Sequence, residues 1–576
     1  MLISIECGLV FIALFVAFFF PGLGSNWFLF VERNCARVAR RPRLAILVVG
    51  LAALAARAAV LPILPAPEPH ILDEFSHLLL ADTLLHGRLA NSTPAMWIHF
   101  ETPYVLMHPT YASMYPPAQG LVLAIGQIVA HQPFVGVWLS LGVMSAAICW
   151  MLQGWMPAEW AFLGGLLAVM RLAVFSYWAD SYLGGAVVAA TGGALVLGAL
   201  PRTMRFARTR DALFMALGLA ILANSRPYEG FVFAIPFAVT LLIWFSQKRG
   251  SAIGHSVRAV LFPLSLALIA TALSMGYYSW RVTGSPVRMP YQVDRDTYHV
   301  APYFLWQSPK PEPAYHHEAL RDLYARDDLG LYHQTRSIPS LLGIWFLRFL
   351  SFWCFYLGPA LTLPLVMAVA TTPYGLAWSH IDWQPRFLFL ASAFFIAGIA
   401  AEVFFRSDYV SPATGLIYVI VLMSMRRVRE WQWHGRGTGL FLIRAIPVIC
   451  ALMLLLRATG TPAFARPGEL WTAYNAGPIA TDRARIEKQL KGYPGRHLVI
   501  VHYQPGSKSQ SPWVYNSANI DASEIIWAWD MGMPANQELL NYYRDRHVWL
   551  VEPADGQPAR LSPYPTHGPT NSDAAN

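Results

Sequence analysis

Two adjacent acids, Asp73 and Glu74, stand in a polar stretch that runs from Pro67 to Gln127 between two strongly apolar segments. A carboxylate in such a place can take the proton of an attacking hydroxyl. The same pair can also do no more than favour the positive end of a helix. Later in the stretch His99, His108, Tyr111 and Tyr115 precede a Pro116-Pro117 step. Their polar tips can bind a substrate, and their rings can anchor a loop at a membrane face. Tyr177, Asp180 and Tyr182 form a second polar group, in which Asp180 either faces a cleft or caps the following helix. Arg226, Tyr228 and Glu229 form a third, in an abrupt turn between two apolar segments. A charge pair at that level is costly unless it lines a cavity or pairs with itself. Arg281, Arg288, Arg295 and Arg348 are further cations in or near the second long polar stretch. Arg171 sits deep in an apolar segment with no partner identifiable along the chain. His316 and His317 are adjacent and lack a spaced carboxylate, which is a weak metal pattern.

The element that positions the acids is an amphipathic helix. Phe75, Leu78, Leu79 and Leu85 recur at three- and four-residue spacing, and Gly87 is placed to end the helix. Neighbouring residues on a helix point about 100° apart. Asp73 and Glu74 therefore cannot face one atom together.

Of 576 residues, 55% are hydrophobic and 13% charged, and the mean hydropathy is +0.40. Soluble domains carry roughly 25% charged residues, so the chain is an integral membrane protein. The net charge of +9 is concentrated in short stretches at 32–43, 201–210, 247–250 and 425–430. That distribution is the positive-inside bias of a multi-pass chain and gives no nucleic-acid signal. The cysteines, Cys7, Cys35, Cys149, Cys354 and Cys450, have no zinc or disulfide spacing. No phosphate-binding loop or dinucleotide fingerprint is present.

The fold class that follows is mainly α: a polytopic transmembrane helical bundle with juxtamembrane helices and a small C-terminal α/β domain. A spanning helix needs about 20 apolar residues. About twelve spans are expected, at 3–20, 44–64, 134–152, 158–176, 183–200, 211–224, 230–246, 258–279, 353–372, 386–405, 412–425 and 438–457. The apolar run 118–131 is short and is read as a juxtamembrane or re-entrant helix, and 338–352 as a second surface helix. Every basic stretch then lies inside, and the loops 65–133 and 280–340 lie outside with the acids. The membrane domain is expected over 1–459, the outer α/β domain over 460–566, and a disordered tail over 567–576. Within the α/β domain HLVIVHY, IIWAWD and HVWLVEP read as buried strands, with helices at 482–492 and 535–546.

The order of adjacent acids, helix, glycine, polar linker, Tyr-Pro-Pro and apolar run resembles the first extracytoplasmic loop of the GT-C superfamily of polytopic glycosyltransferases. Its members include protein O-mannosyltransferases and the aminoarabinose transferase of lipid A, and the fit is closest to the bacterial lipopolysaccharide-type branch. The stretches 177–202, 224–230 and 407–415 add to the resemblance, which covers roughly the first 460 residues. It implies an inverting transfer of a sugar from a polyprenyl-phosphate donor to a lipid-linked glycan, lipid or protein acceptor. The reaction would take place on the outer face of a bacterial inner membrane, with no nucleic-acid partner.

Under that resemblance Asp73 is the base, and Glu74 binds acceptor, orients a neighbour or contacts a metal. No cofactor is required, and a divalent metal stays open. His108, Tyr111, Tyr115, Tyr177, Asp180, Tyr182, Tyr228 and Glu229 become donor- or acceptor-binding residues. Arg226 is the first choice for the donor phosphate, an internal Arg226–Glu229 pair the competing one, and Arg281 the next cation. Family members often carry His before Tyr where this chain has Asp408. A secondary transporter or lipid flippase, or a non-catalytic GT-C scaffold, is the alternative. Against transport stand the lack of an internal repeat and the acid-bearing surface helix.

Overall fold

The computed structural model describes residues 1–183, 185–371, 382–459, 472–503, 512–554 and 557–565. The expected domain boundary at 460 and the expected tail 567–576 lie outside the described residues. Apolar composition drives the chain into helices, because a backbone in hydrocarbon must satisfy its own polar groups. The helices are α1 (Leu2–Phe19), α2 (Ser25–Ala39), α3 (Pro42–Ala59) and α4 (Leu72–Leu85). A two-stranded ribbon of β1 (Val105–Leu106) and β2 (Ala112–Ser113) follows. Next come α5 (Pro117–Ala130), α6 (Pro133–Leu152), α7 (Ala158–Leu172), α8 (Ala186–Phe206), α9 (Thr209–Ala223) and α10 (Pro227–Ser246). The remaining long helices are α11 (Ala252–Thr283), α12 (Pro290–Thr297), α13 (residues 318–334), α14 (Ile338–Ala370), α15 (Trp383–Ala400), α16 (Ser407–Arg429) and α17 (Thr438–Thr459).

Among the described residues ten helices are long and apolar enough to cross a membrane. The other two expected spans, 158–176 and 211–224, are the 15-residue helices α7 and α9, packed within the bundle. The run after Pro116 is the 14-residue α5, shorter than a span. Two details differ from the sequence reading. The basic stretch 32–43 is helical through Ala39, as the second half of α2. Residues 338–352 form the expected helix, Ile338–Phe352, with none of its residues buried, but it is not followed directly by the span: it runs on through Trp353–Leu357 to Gly358, whose φ of 56° and the following Pro359 break the helical path within α14. Close packing of α8 depends on glycine. A Cβ on Gly193 would collide with the Pro412 carbonyl, and Gly192 abuts the Gly218 backbone of α9.

The basic stretches gather at one end of the bundle. Arg40 pairs with Glu159 at 3.9 Å, Gln153 donates to the Pro42 carbonyl, and Arg444 forms a fork with Glu32 at 2.8 and 2.9 Å. The Arg202 guanidinium lies 4.2 Å over the Trp150 ring and donates to that residue's carbonyl.

The C-terminal domain contains α18 (Asp482–Leu490), β3 (His497–Val501), β4 (Ile525–Trp529), α19 (Ala535–Tyr542), β5 (His547–Ala554) and β6 (Gln557–Pro563). The sheet order is β4-β3-β5-β6, with β3 parallel to both neighbours and β6 antiparallel to β5. The three apolar strands match the reading. The edge strand β6 was not legible, since its sequence is polar with proline at both ends and lacks the apolar run of a buried strand. The domain sits on the first long loop. Tyr515 Oη donates to the Pro103 carbonyl at 3.0 Å, Trp529 Nε1 to Glu101 O at 2.6 Å, and Ala518 N to Asp82 Oδ2 at 2.7 Å. Phe75 of α4 stacks on Tyr515, and the Arg483 guanidinium covers its ring.

Cysteines at exposed Ser92 and Lys488 should therefore react with an impermeant thiol reagent from the same side of a sealed vesicle, and one at Thr209 from the opposite side. Labelling of Ser92→Cys and Thr209→Cys from one side, above the unsubstituted protein, would show the bundle inserted differently.

Candidate active site

The start of α4 is set by Glu74, the third residue of the helix. Its Oε2 accepts from the His70 and Ile71 backbone N–H groups at 2.9 and 3.1 Å, as the carboxylate half of a capping box. Its Oε1 accepts from Tyr182 N at 2.9 Å, which ties α4 to the segment leading into α8. Burial raises the Glu74 pKa, while His70 and these backbone donors pull it down. With Glu74 turned inward, Asp73 projects about 100° around the helix and lines a cavity of about 1450 Å³.

Tyr115 donates its hydroxyl to Asp73 Oδ1. Arg406 Nη1 lies 3.7 Å from Asp73 Oδ2, and Arg406 Nε lies 3.4 Å from Asp408 Oδ1. Arg226 Nη2 pairs with Asp408 Oδ2, and Arg226 Nη1 lies 3.6 Å from Glu229 Oε1. The charges thus alternate along one chain: Asp73, Arg406, Asp408, Arg226, Glu229. Burial lowers the Arg226 and Arg406 pKa values, but the adjacent carboxylates, Asp408 foremost, outweigh it and raise both. His77, one turn along α4, is buried and stacks on Tyr115 at 4.2 Å. Burial, helped by the Arg226 charge, lowers its pKa to about 3, so the imidazole is neutral.

Five Lys or Arg side chains line the cavity: Arg226, Arg295, Lys310, Arg348 and Arg406. Lys310 is paired with Asp296 at 2.6 Å. Arg295 and Arg348 differ from the other three. Arg295 Nη2 donates to the Ala301 carbonyl at 2.7 Å, and Arg348 donates to the Glu402 and Val403 carbonyls at 2.9 and 2.5 Å. Neither forms an ion pair among the described residues. Burial first and then Glu229 push the nearby Glu402 carboxyl up to about 9, while Arg226 and Arg348 pull it down. The wall next to Arg348 is apolar, with Phe231, Ile344, Leu347 and Phe404. Phe231 and Leu347 are largely exposed.

Of the residues expected at the site, Asp73, Tyr115, Arg226, Tyr228 and Glu229 line this cavity. The other seven do not, and each has a physical reason. Glu74 spends both oxygens on backbone donors. His108 is exposed and packs edge-on against Trp97 at 4.6 Å. Tyr111 reaches the C-terminal domain, where its hydroxyl donates to Asn516 O. Tyr177 is buried against Phe355 at 5.0 Å. Asp180 pairs with buried Arg57 at 3.4 Å, and Tyr182 is tied by its backbone to Glu74. Arg281 is exposed and contacts only the Tyr277 hydroxyl, at 3.4 Å. Arg288 pairs with Asp296 at 2.8 Å, and Arg171 with Glu6 at 2.8 Å across the bundle. His316 hydrogen-bonds Glu101, and His317 the Ile98 carbonyl. Among the described residues no three His, Cys, Asp or Glu side chains converge to hold a metal ion.

Sequence reasoning missed Arg406, His77 and Tyr104. Arg406 carried the signal that singled out Arg226, a charge among apolar residues in FFRSDYV. His77 follows Asp73 at helical spacing, one turn on.

No protein-family model matches the sequence. No curated protein matches it. Among solved structures, the oligosaccharyltransferase of Archaeoglobus fulgidus in complex with Zn and sulfate aligns with a TM-score of 0.46 and 10% identity, over 88% of this chain and 67% of that one. Its apo form gives 0.43 at 10% identity, over 88% and 69%. The archaeal oligosaccharyltransferase AglB of the same organism, in complex with an inhibitory peptide and a dolichol-phosphate, gives 0.41 at 9% identity, over 89% and 69%. Likeness at this level assigns no function.

The Glu74 geometry predicts a structural penalty. Glu74→Gln places an amide N–H₂ against backbone donors, which costs about 1–3 kcal/mol for a buried donor left unsatisfied. The midpoint of thermal unfolding in micelles should fall. An unchanged midpoint with lost activity would return Glu74 to the chemistry.

Proposed function

We propose that the chain is a membrane-embedded, GT-C-like glycosyltransferase that moves a sugar from a polyprenyl-phosphate donor to a hydroxyl acceptor, with inversion at the anomeric carbon. The reading is supported above all by one juxtaposition: a cavity that joins the Asp73 carboxylate to two arginines without an ion-pair partner among the described residues, beside an apolar wall. The donor phosphate sits at Arg348 and Arg295, which form no ion pair among the described residues, rather than at Arg226, which already serves Asp408 and Glu229. A guanidinium presents a fork of donors suited to phosphate oxygens. The first isoprene units lie along Phe231, Ile344 and Leu347, and the sugar points toward Asp73.

In the reaction the acceptor hydroxyl gives its proton to Asp73 as its oxygen attacks the anomeric carbon. The bond from that carbon to the phosphate oxygen breaks, and its electron pair leaves with the phosphate. The departing anion is stabilised by the arginines, so one carboxylate is enough. Glycoside hydrolysis differs, because there the leaving oxygen must be protonated by a second carboxyl group. Tyr115 and Arg406 hold Asp73 from both sides and fix its orientation. The C-terminal domain and the cavity lie on the outer face of a bacterial inner membrane, with the basic end of the bundle in the cytoplasm. The acceptor is a lipid-linked glycan, a lipid or a protein.

The test is transfer by purified protein in nanodiscs, from a panel of short-chain polyprenyl-phosphate sugars. Asp73→Asn keeps size but not basicity, and turnover should fall at least about 100-fold, the scale of a positioned base, with donor binding kept and the wild-type product inverted. A fully active Asp73→Asn, or a retained anomeric configuration, removes Asp73 from this role.

Arg348→Ala and Arg348→Lys should both weaken donor binding, the alanine variant more. Unchanged donor affinity in both, with the fold intact, would place the phosphate elsewhere.

A further inference from the structure

Tyr104 lines the cavity with its backbone in the left-handed region, at φ 63°. Bulky side chains rarely adopt that conformation, and they do so at a cost that glycine would avoid. The other described non-glycine residues with positive φ are His131, Ala207 and His434. His131 and Ala207 cap the ends of α5 and α8, and His434 lies in the short turn between α16 and α17. Tyr104 ends no long helix and lies in the turn after Pro103, where a glycine would fit at less cost. It is held in place from both sides of its peptide units. Its N–H donates to the Tyr324 hydroxyl at 3.2 Å, and its carbonyl accepts from Ser76 Oγ at 2.7 Å and from Met114 N at 3.1 Å. Its ring stands edge-on to Tyr115 and Tyr324, at 6.2 and 6.3 Å. Tyr115 is the residue that donates to Asp73. Strain fixed so firmly at a cavity wall points to a side chain that must be somewhere in particular.

The side chain has no internal use for its polar end. The Tyr104 hydroxyl makes no hydrogen bond among the described residues, yet it is not one of the sealed, unsatisfied polar atoms, so it keeps access to the cavity. Burial of the residue and the neighbouring Asp73 charge hold its pKa well above the ordinary value, so it stays a neutral hydroxyl able to donate.

We propose that Tyr104 binds the acceptor: its hydroxyl donates to an oxygen next to the attacking hydroxyl, and so aims that hydroxyl at Asp73. This rests on the glycosyltransferase reading and narrows it. An acceptor with a second oxygen beside the nucleophile is a sugar of a glycan, whose hydroxyls are vicinal. A serine or threonine side chain offers a single hydroxyl. A buried hydrogen-bonding site discriminates strongly against an analogue that lacks the matching oxygen.

The experiment compares wild type, Tyr104→Phe, Tyr104→Gly and Asp73→Asn in nanodiscs. The donors are short-chain polyprenyl-phosphate sugars, and the acceptors are alkyl glycosides with their deoxy counterparts. Tyr104→Phe keeps the ring and the backbone geometry, so its unfolding midpoint should match wild type. Its acceptor KM should rise about tenfold, the scale of one hydrogen bond, its donor KM should stay, and its preference for the vicinal hydroxyl over the deoxy acceptor should vanish. Tyr104→Gly relieves the backbone strain but also removes a ring packed on Tyr115 and Tyr324, so it should unfold at a lower temperature while losing at least as much acceptor affinity. An inactive Asp73→Asn together with an unaltered Tyr104→Phe, or with a Tyr104→Phe defect confined to donor KM, would overturn the role of Tyr104 alone. A fully active Asp73→Asn would instead remove the reading on which it rests.

Discussion

Charges at the end of an apolar bundle must answer one another, and the alternating chain Asp73–Arg406–Asp408–Arg226–Glu229 is how this protein meets that demand. The five side chains come from three separate places: the start of α4, the segment that enters α16, and the turn that opens α10. An uncompensated buried charge is strongly destabilising. The three places are therefore held together by mutual need more than by any local preference. Asp408 is the hinge of the arrangement, because two guanidiniums share it. Two adjacent arginines require an acid at that position.

The same chain decides what is left over for a substrate. Arginines already paired with carboxylates gain little from a phosphate. Arg295 and Arg348 form no ion pair among the described residues; their guanidiniums bond carbonyl oxygens and lie over Tyr303 and Phe405. Their position beside an apolar wall sets cationic and apolar groups side by side. On the opposite side of the cavity, the first long loop is fixed by α4 below and by the C-terminal domain above. Phe75 is stacked on Tyr515 and covered by Arg483, and Trp529 is bonded to the Glu101 carbonyl. The C-terminal domain thereby acts as a backing plate for the loop that carries Asp73, Tyr104 and Tyr115.

Membrane character, the helices and the division into loops were written in the sequence, because hydropathy and periodicity are local properties. The spacing of Phe75, Leu78 and Leu79 and the stop at Gly87 were enough to place α4. Even the separation of Asp73 from Glu74 followed from residues per turn. The clustering of Arg and Lys in short connections foretold that they would share one end of the bundle, as Arg40, Arg202 and Arg429 do.

What the tertiary structure alone decided is the partner of each charged or polar side chain. Arg226 meets Asp408 across 182 positions, Tyr104 meets Tyr324 across 220, and Arg171 meets Glu6 across 165. No pattern within a window of the chain encodes such pairings. Seven residues that looked equally suited to a site, from Glu74 to Arg281, were diverted into caps, interhelical ties or the surface. The left-handed backbone at Tyr104 had no glycine to announce it; it lies in the turn after Pro103 and is held by hydrogen bonds from Ser76 and Met114 to its carbonyl and by its own N–H donating to Tyr324. Local sequence set which groups were available near the membrane surface; the pairing of buried charge over long distances set which of them stayed free to do chemistry.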